Sequence, residues 1–111
     1  TPIVIEVQKY INRNYHNEDL SISEVANSLG VSQTYLTRLF KRELKMTFAD
    51  YLTNVRIKNA IILMRDPYLE LYEIAELIGY STQHYFSNVF KKHVGISPKD
   101  YKLGVVNESR H

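Results

Sequence analysis

The sequence predicts an all-α fold with about seven helices, in which two helix-turn-helix subdomains are joined by a long linker helix. Two observations carry this prediction. The pattern of residues 22–31 (ISEVANSLGV) recurs at 71–80 (LYEIAELIGY), and apolar residues recur at the three- and four-residue spacing of one helix face. The 111 residues, 44% of them hydrophobic, suffice for one domain with a buried core and exclude a wholly disordered chain.

Several classes of protein are excluded by what the composition lacks. The chain has no cysteine, which excludes a disulfide scaffold, a cysteine-ligated zinc site and a thiol nucleophile. Its longest apolar run, 60–64, is far shorter than the roughly 20 residues of a membrane span, and residues 1–10 lack the pattern of a signal peptide. The four histidines have no metal-ligand spacing, and no catalytic triad or phosphate-binding loop stands out. We therefore expect no metal, no cofactor and no enzymatic activity.

Each copy of the repeat has the pattern of two short helices joined by a tight turn. In the first copy, apolar residues at helical spacing over 22–29 precede Gly30, which can adopt the left-handed backbone that ends a helix. Ser32 is then suited to cap a second helix at 32–44. A single copy would be equally typical of an ordinary αα-hairpin, but its repetition favours a helix-turn-helix.

The second copy follows the same pattern after one inserted residue near the start of its second helix. Apolar residues over 71–78 precede Gly79, and Ser81 is placed to cap a helix at 82–93. Ala26 and Ala75 each lie four residues before the glycine. A small side chain at that position lets the second helix cross closely over the first.

The second helix of each copy has one apolar and one polar face. The polar faces combine side chains that can hydrogen-bond to base edges with cations that can bind backbone phosphates. We predict base reading by Gln33, Thr34, Thr37 and Arg38 in the first copy and by Gln83, His84, Ser87 and Asn88 in the second. We predict phosphate contacts by Ser32, Lys41, Arg42, Lys45, Ser81, Thr82, Lys91 and Lys92.

The distribution of charge agrees with these assignments. The net charge of +2 divides into −2 over 1–31, +5 over 32–65, −4 over 66–80 and +3 over 81–111. Alternating blocks by themselves indicate only a solvated surface. Here, however, the positive blocks contain the second helix of each copy, at 32–44 and 82–93, which we call the recognition helices. The first helix of each copy, at 22–29 and 71–78, supports the recognition helix that follows it. We expect the acidic residues of these supporting helices to face away from nucleic acid.

A long helix is predicted at 48–65 between the two copies, with Thr47 as its cap and Pro67 after its end. One apolar face comprises Phe48, Tyr51, Leu52, Val55 and Ile62, and a second comprises Ile57, Ala60, Ile61 and Met64. A helix that is apolar on two sides must be covered on two sides. Its 18 residues would span about 27 Å, somewhat less than the roughly 34 Å between successive major grooves. The spacing still suits two grooves, because the helices at 32–44 and 82–93 are expected to lie outboard of the linker.

These elements define the predicted organisation of the single domain at 1–111. We place subdomains at 1–46 and 67–104, the linker helix at 47–66 and a flexible tail at 105–111. Arg56 in the linker is open to two interpretations, a structural ion pair or a DNA contact. Ser97 and Pro98 are interpreted as a helix cap and first helical residue.

The chain resembles the DNA-binding domain of the AraC/XylS family of bacterial transcription regulators over about residues 5–103. The most specific stretch is 79–102 (GYSTQHYFSNVFKKHVGISPKDYK), and 32–41 (SQTYLTRLFK) resembles the first copy of the family pattern. The linker residues Tyr51, Leu52, Arg56 and Ala60 also fit. Two positions depart from the pattern, since Asn88 stands where arginine is common and Lys102 replaces the usual closing arginine.

The resemblance implies that the two recognition helices enter adjacent major grooves of double-stranded DNA. It also implies activation of transcription through contact with RNA polymerase, and some two-component response regulators end in such a domain. We expect the isolated domain to be a monomer, because one chain already supplies two helices that can each read one half of a DNA site. We expect no association with a membrane. The alternative is a helical protein-interaction module, which would place apolar side chains on the exposed helix faces.

Overall fold

The computed structural model describes residues 1–109, with side chains through Val105. Every regular element in that range is helical, which confirms the predicted all-α fold with about seven helices. A five-residue π-helical segment, Phe40–Leu44, directly continues α3. The seven α-helices are α1 (Pro2–Asn14), α2 (Ile22–Leu29), α3 (Gln33–Leu39), α4 (Phe48–Leu63), α5 (Leu71–Leu77), α6 (Gln83–Val94) and α7 (Pro98–Ser109).

The chain forms two compact units, Thr1–Val55 and Arg56–His111. The boundary between them falls inside α4, so the predicted linker helix contributes residues to both units. Each unit contains one copy of the repeat, and each has its own buried apolar residues. None of the helices in the described part of the chain is both long and apolar enough to cross a bilayer.

The core of the first unit is built from the apolar faces of α1, α2 and α3 and the start of α4. The helix α3 and the π-helical segment together form the recognition segment of this unit. Its residues Leu36, Leu39 and Phe40 are almost fully buried, as the periodicity predicts. The other core residues are Val7, Ile11, Leu20, Val25, Ala26 and Leu52.

A polar network fixes α1 to α2 at the edge of this core. The Tyr10 hydroxyl donates to Glu24 Oε2 at 2.9 Å and accepts from Ser28 Oγ at 3.1 Å. The Glu24 carboxylate of α2 is therefore hydrogen-bonded to the neighbouring helix α1.

The second unit repeats the plan with α5, α6 and α7 and the end of α4. Phe86 and Phe90 on α6 are fully buried, as predicted. They pack with a ring-centroid distance of 5.7 Å in an edge-on geometry. The other buried apolar residues of this unit are Ile57, Ala60, Met64, Ile74, Ala75, Ile78 and Tyr80.

One aromatic contact occurs in both copies of the repeat. The rings of Phe40 and Tyr51 have centroids 5.8 Å apart, and those of their counterparts Phe90 and Tyr101 lie 5.6 Å apart, both edge-on. The repetition in sequence thus corresponds to a repeated packing arrangement within each unit. Edge-on aromatic pairs of this kind are among the favourable ring geometries.

The tight turns before the recognition helices have the predicted backbone. Gly30 ends α2 with φ 69° and ψ 31°, and its N–H donates to carbonyls of the last turn. Gly79 has φ 99° at the corresponding turn of the second unit. A left-handed residue at the end of a helix turns the chain sharply and satisfies terminal carbonyls.

The linker helix α4 differs from its predicted bounds at one end and on one face. Thr47 Oγ1 accepts from the Asp50 N–H at 3.1 Å, which confirms the predicted cap. The helix ends at Leu63 rather than residue 65. The Arg65 and Asp66 N–H groups donate to carbonyls three residues earlier instead of four, in a tightened turn that precedes Pro67. Ile62, which the sequence assigns to an apolar face, is 48% exposed.

Helix α7 begins as predicted and extends further than predicted. Ser97 Oγ accepts from the Asp100 N–H at 3.1 Å, and Pro98 is the first helical residue. Lys102 donates through its ammonium group to the Leu69 carbonyl, which ties α7 to the loop before α5. The helix continues through Ser109, so the tail predicted from residue 105 starts in helical backbone, while 110 and 111 lie outside the described residues.

Candidate nucleic-acid interface

The N-terminus of α3 is fixed by its cap. Ser32 has an extended backbone, and its Oγ accepts from the Tyr35 N–H at 3.0 Å, as predicted. An N-cap serine satisfies one of the backbone N–H groups that lack a partner inside the helix. Since the cap and Gly30 together set where α3 begins, they also set the rotation of its outer face.

The outer face of α3 consists of polar side chains exposed to solvent. The four predicted base readers are all exposed, and they alternate with the buried Leu36 and Leu39. They are Gln33, Thr34, Thr37 and Arg38. The face therefore carries amide, hydroxyl, methyl and guanidinium groups on one helix, which is the chemistry that reads base edges in a major groove.

Thr37 has a defined side-chain conformation on this face. Its hydroxyl donates to the Gln33 carbonyl one turn earlier, at 3.0 Å. The hydroxyl proton is thereby used within the helix. The methyl group and the oxygen lone pairs remain available, and these can contact a thymine methyl group or accept from a base amino group.

The basic residues of the first unit lie on the π-helical segment and just beyond it. Lys41, Arg42 and Lys45 are all exposed. Glu43, the one acidic residue among them, accepts from the Thr1 ammonium group at 3.1 Å and from the Thr1 hydroxyl at 3.0 Å. The ammonium hydrogen bond is the main cause that lowers the pKa of the Glu43 carboxyl group. The three cations are exposed beside this carboxylate.

The cap of α6 corrects one sequence assignment. The N-cap is Thr82, whose Oγ1 accepts from the Tyr85 N–H at 3.1 Å, whereas the sequence pattern predicts Ser81. The inserted residue of the second copy lies in this turn, so the cap moves one position along the chain. Ser81 is exposed outside the helix.

Three of the four base readers predicted on α6 are exposed, namely Gln83, His84 and Asn88, while Ser87 is half-buried. The Asn88 carboxamide Nδ2 lies 3.4 Å from His84 Nε2, one turn earlier on the same face. Lys91 and Lys92 are exposed in the last turn, before Gly95 ends the helix. The second unit thus has the same order as the first, with polar side chains first and cations last.

Two tyrosines outside the predicted set of site residues occupy equivalent positions on the recognition helices. Tyr35 and Tyr85 are the third residues of α3 and α6, and they are 39% and 56% exposed. Each lies one turn before a predicted base reader, Arg38 or Asn88. Tyrosine hydroxyl groups donate to phosphate oxygens in DNA complexes. Their matching offset of 50 residues is the sequence signal that could identify them.

Arg56 lies in the interior of the second unit, which favours the structural interpretation over a DNA contact. It is 8% exposed, and its guanidinium carbon lies 5.4 Å from the centroid of the Tyr80 ring. This is the geometry of a cation–π contact. A side chain this deeply buried lies away from the surface that could reach DNA.

Comparison with known proteins identifies relatives for most of the chain. The pattern of a family described as "Helix-turn-helix domain" matches residues 25–103. The Msm operon regulatory protein of Streptococcus mutans is 30% identical over 104 residues, which are 94% of this chain and 37% of that protein. This chain therefore spans less than two-fifths of that relative.

Solved structures share the fold closely. The C-terminal domain of AraT, a response regulator from Geobacillus stearothermophilus, superposes with a TM-score of 0.90 at 42% identity, covering 94% of this chain and 86% of that one. The DNA-binding domain of AdpA, solved in complex with a target DNA, superposes with a TM-score of 0.83 at 19% identity, covering 90% and 89%. The second likeness is one of fold alone.

Proposed function

Because this chain belongs to the AraC-type helix-turn-helix family of DNA-binding transcription regulators, we propose that it binds a specific double-stranded site through α3 and α6. The two helices enter successive major grooves on one side of the duplex. The whole protein is a bacterial regulator that acts in the cytoplasm, and this domain supplies its DNA binding. A response regulator is the parent architecture that the AraT likeness supports.

The observation that carries this proposal is the same polar surface on one helix of each unit. In both units a hydroxyl cap begins the helix, exposed hydrogen-bonding side chains follow, and exposed cations end it. An interaction module for a protein partner would place apolar side chains on these faces. The order found here suits base edges near the N-terminus and phosphates near the C-terminus.

Each recognition helix contributes distinct base-reading groups. The Arg38 guanidinium can pair in a bidentate manner with guanine, and the carboxamides of Gln83 and Asn88 can do so with adenine. Thr34, Thr37 and Gln33 complete the first surface, and His84 and Ser87 complete the second.

Phosphate contacts surround these readers. The cations Lys41, Arg42 and Lys45 serve the first half-site, and Lys91 and Lys92 serve the second. We add the hydroxyl groups of Tyr35 and Tyr85 to this set, because each lies on the exposed face of its helix. Ser32, Ser81 and Thr82 lie at the helix N-termini, where backbone N–H groups also point outward.

The proposed regulatory role is activation through RNA polymerase. The supporting segment 66–80 carries four acidic residues and no basic one, so it is unsuited to DNA and available to a protein. One chain already holds two half-site readers, so the isolated domain binds as a monomer. Transcription from a promoter carrying the site, measured with and without the parent protein, tests this part separately.

Hydroxyl-radical footprinting on a duplex that carries the bound site tests the proposed mode of binding. Two helices in successive major grooves would protect two tracts on one face of the duplex, about one helical turn apart. Protection of a single tract, or uniform weak protection that disappears at moderate salt, would contradict it. The Arg38→Ala variant should weaken protection in one tract more than in the other.

A further inference from the structure

Lys45 ends the recognition segment of the first unit in a backbone conformation that favours glycine. Its φ is 59° and its ψ 28°, and it is the one residue other than glycine with positive φ among residues 1–109. At the repeat offset of 50, the counterpart of Lys45 is Gly95, which ends α6 with φ 101°. The two copies therefore place different residues in the left-handed cap of the same helix.

A lysine in this conformation is a source of instability in the folded unit. Left-handed backbone brings Cβ close to the following carbonyl oxygen, a contact that glycine lacks. Nothing in the packing compensates for it, because Lys45 is exposed. In the part of the chain that the structure describes, its ammonium group takes part in no ion pair or hydrogen bond. Beyond the modest attraction between a cation and a helix C-terminus, the lysine side chain makes no polar contact with the described residues that serves the fold.

Lys45 extends a group of exposed cations at the end of the recognition segment. The π-helical segment carries Lys41 and Arg42, and the left-handed turn places Lys45 directly after them on exposed surface. A charged residue whose backbone is fixed at the end of a helix loses less conformational entropy on binding than one on a flexible loop. The corresponding turn of the second unit has no charge, because Gly95 occupies it.

We propose that Lys45 is a phosphate-binding residue kept in a strained backbone at the expense of stability. This inference rests on the proposed DNA binding. It adds that stability and affinity oppose each other at this one residue. Replacing Lys45 by glycine should therefore improve the fold and weaken the complex.

The test compares three variants of the full chain, Lys45→Gly, Lys45→Gln and Lys45→Arg. Thermal unfolding should show that Lys45→Gly raises Tm by about 2–4 °C, because the strain is removed. Lys45→Arg keeps both the strain and the charge and should leave Tm unchanged. Lys45→Gln keeps the strain but loses the attraction between the cation and the helix C-terminus, so it should lower Tm slightly. Gly30→Ala is the matched control for strain, since Gly30 has nearly the same φ and ψ and a Cβ there would meet nothing within 4 Å. It should lower Tm by about as much as Lys45→Gly raises it.

Binding is measured by fluorescence anisotropy on a mixed-sequence duplex of about 30 base pairs, over a range of salt concentrations. Lys45→Gly and Lys45→Gln should both reduce the slope of log K against log salt by about 0.9, and weaken binding about 5- to 10-fold at 0.1 M salt. Lys45→Arg should bind like the parent. Lys9→Gln, an exposed lysine on α1, controls for the loss of one charge elsewhere and should have little effect.

Each outcome bears on a different statement. If Lys45→Gly is more stable but binds with unchanged affinity and slope, Lys45 is no phosphate contact and the inference is wrong. If Lys45→Gly is less stable, the backbone strain is absent and the inference is again wrong. If the parent chain itself binds no duplex at low salt, the proposed function fails, and that failure is visible without any variant.

Discussion

Asn88 and His84 form a side-chain pair on the exposed face of α6, with Asn88 Nδ2 3.4 Å from His84 Nε2. The carboxamide can donate to the imidazole nitrogen only when that nitrogen is unprotonated. Each side chain therefore restricts the orientation of the other. Because both face solvent on the proposed base-reading surface, we expect them to act as one unit in the second half-site.

A double-mutant cycle tests this coupling. We expect His84→Ala and Asn88→Ala each to weaken binding of the selected duplex, and the double variant to lose less than the sum, with a coupling free energy of about 0.5–1.5 kcal/mol. Fluorescence anisotropy of the four proteins on one duplex supplies the measurement. Additivity within about 0.3 kcal/mol would show that the two side chains act independently.

Arg38 should specify base identity in one half-site only. We expect Arg38→Ala to relax the preference at the bases it contacts and to lose roughly 1–3 kcal/mol of discrimination there. Arg38→Lys keeps the charge but lacks the planar fork, so it should lose most of the same discrimination. Competition with single-base variants of the site measures the effect.

Arg13→Ala, an exposed arginine on α1, is the control for Arg38 and should leave the preference unchanged. An equal loss of affinity by Arg38→Ala on specific and random duplexes would reassign Arg38 from base reading to phosphate contact.

Lys91 should contribute affinity without specificity. We expect Lys91→Ala to weaken binding to all sequences alike and to reduce the salt slope by about one, because one phosphate contact and its released counterion are lost. Lys58→Ala, at an exposed position on α4, serves as the control. A change in base preference without a change in slope would be incompatible with a phosphate contact.

The cap of α6 gives a prediction about stability. We expect Thr82→Ala to lower the free energy of unfolding by about 1 kcal/mol, since the Tyr85 N–H loses its acceptor. Ser81→Ala should change it by less than about 0.5 kcal/mol, because Ser81 lies outside the helix. Denaturant unfolding of both variants distinguishes the two residues. A larger loss from Ser81→Ala would restore Ser81 as the cap.

The fold follows from the sequence because its signals are local and repeated. The spacing of Leu36, Leu39 and Phe40, and again of Phe86 and Phe90, is enough to identify the buried faces of both recognition helices. The glycine turns and the Thr47 and Ser97 caps are equally local. The exposure of nearly every proposed base reader follows from the same periodicity.

The remaining features depend on geometry that residue types do not determine. Ser81 and Thr82 are both good caps, and only the backbone path through the inserted residue selects Thr82. Lys45 is not a residue type that indicates a left-handed turn. Arg56 and Tyr80 are distant in sequence, and helical periodicity does not predict that the guanidinium lies over the ring.

Selection of bound sites from a pool of random duplexes is the decisive test of DNA recognition by two helices. We predict a bipartite motif whose two halves lie on one face of the duplex, about one helical turn apart. The Arg38→Ala variant should select the same motif with one half degenerate. Recovery of no motif at moderate salt, or of a single half-site alone, would contradict the proposal that α3 and α6 read two successive major grooves.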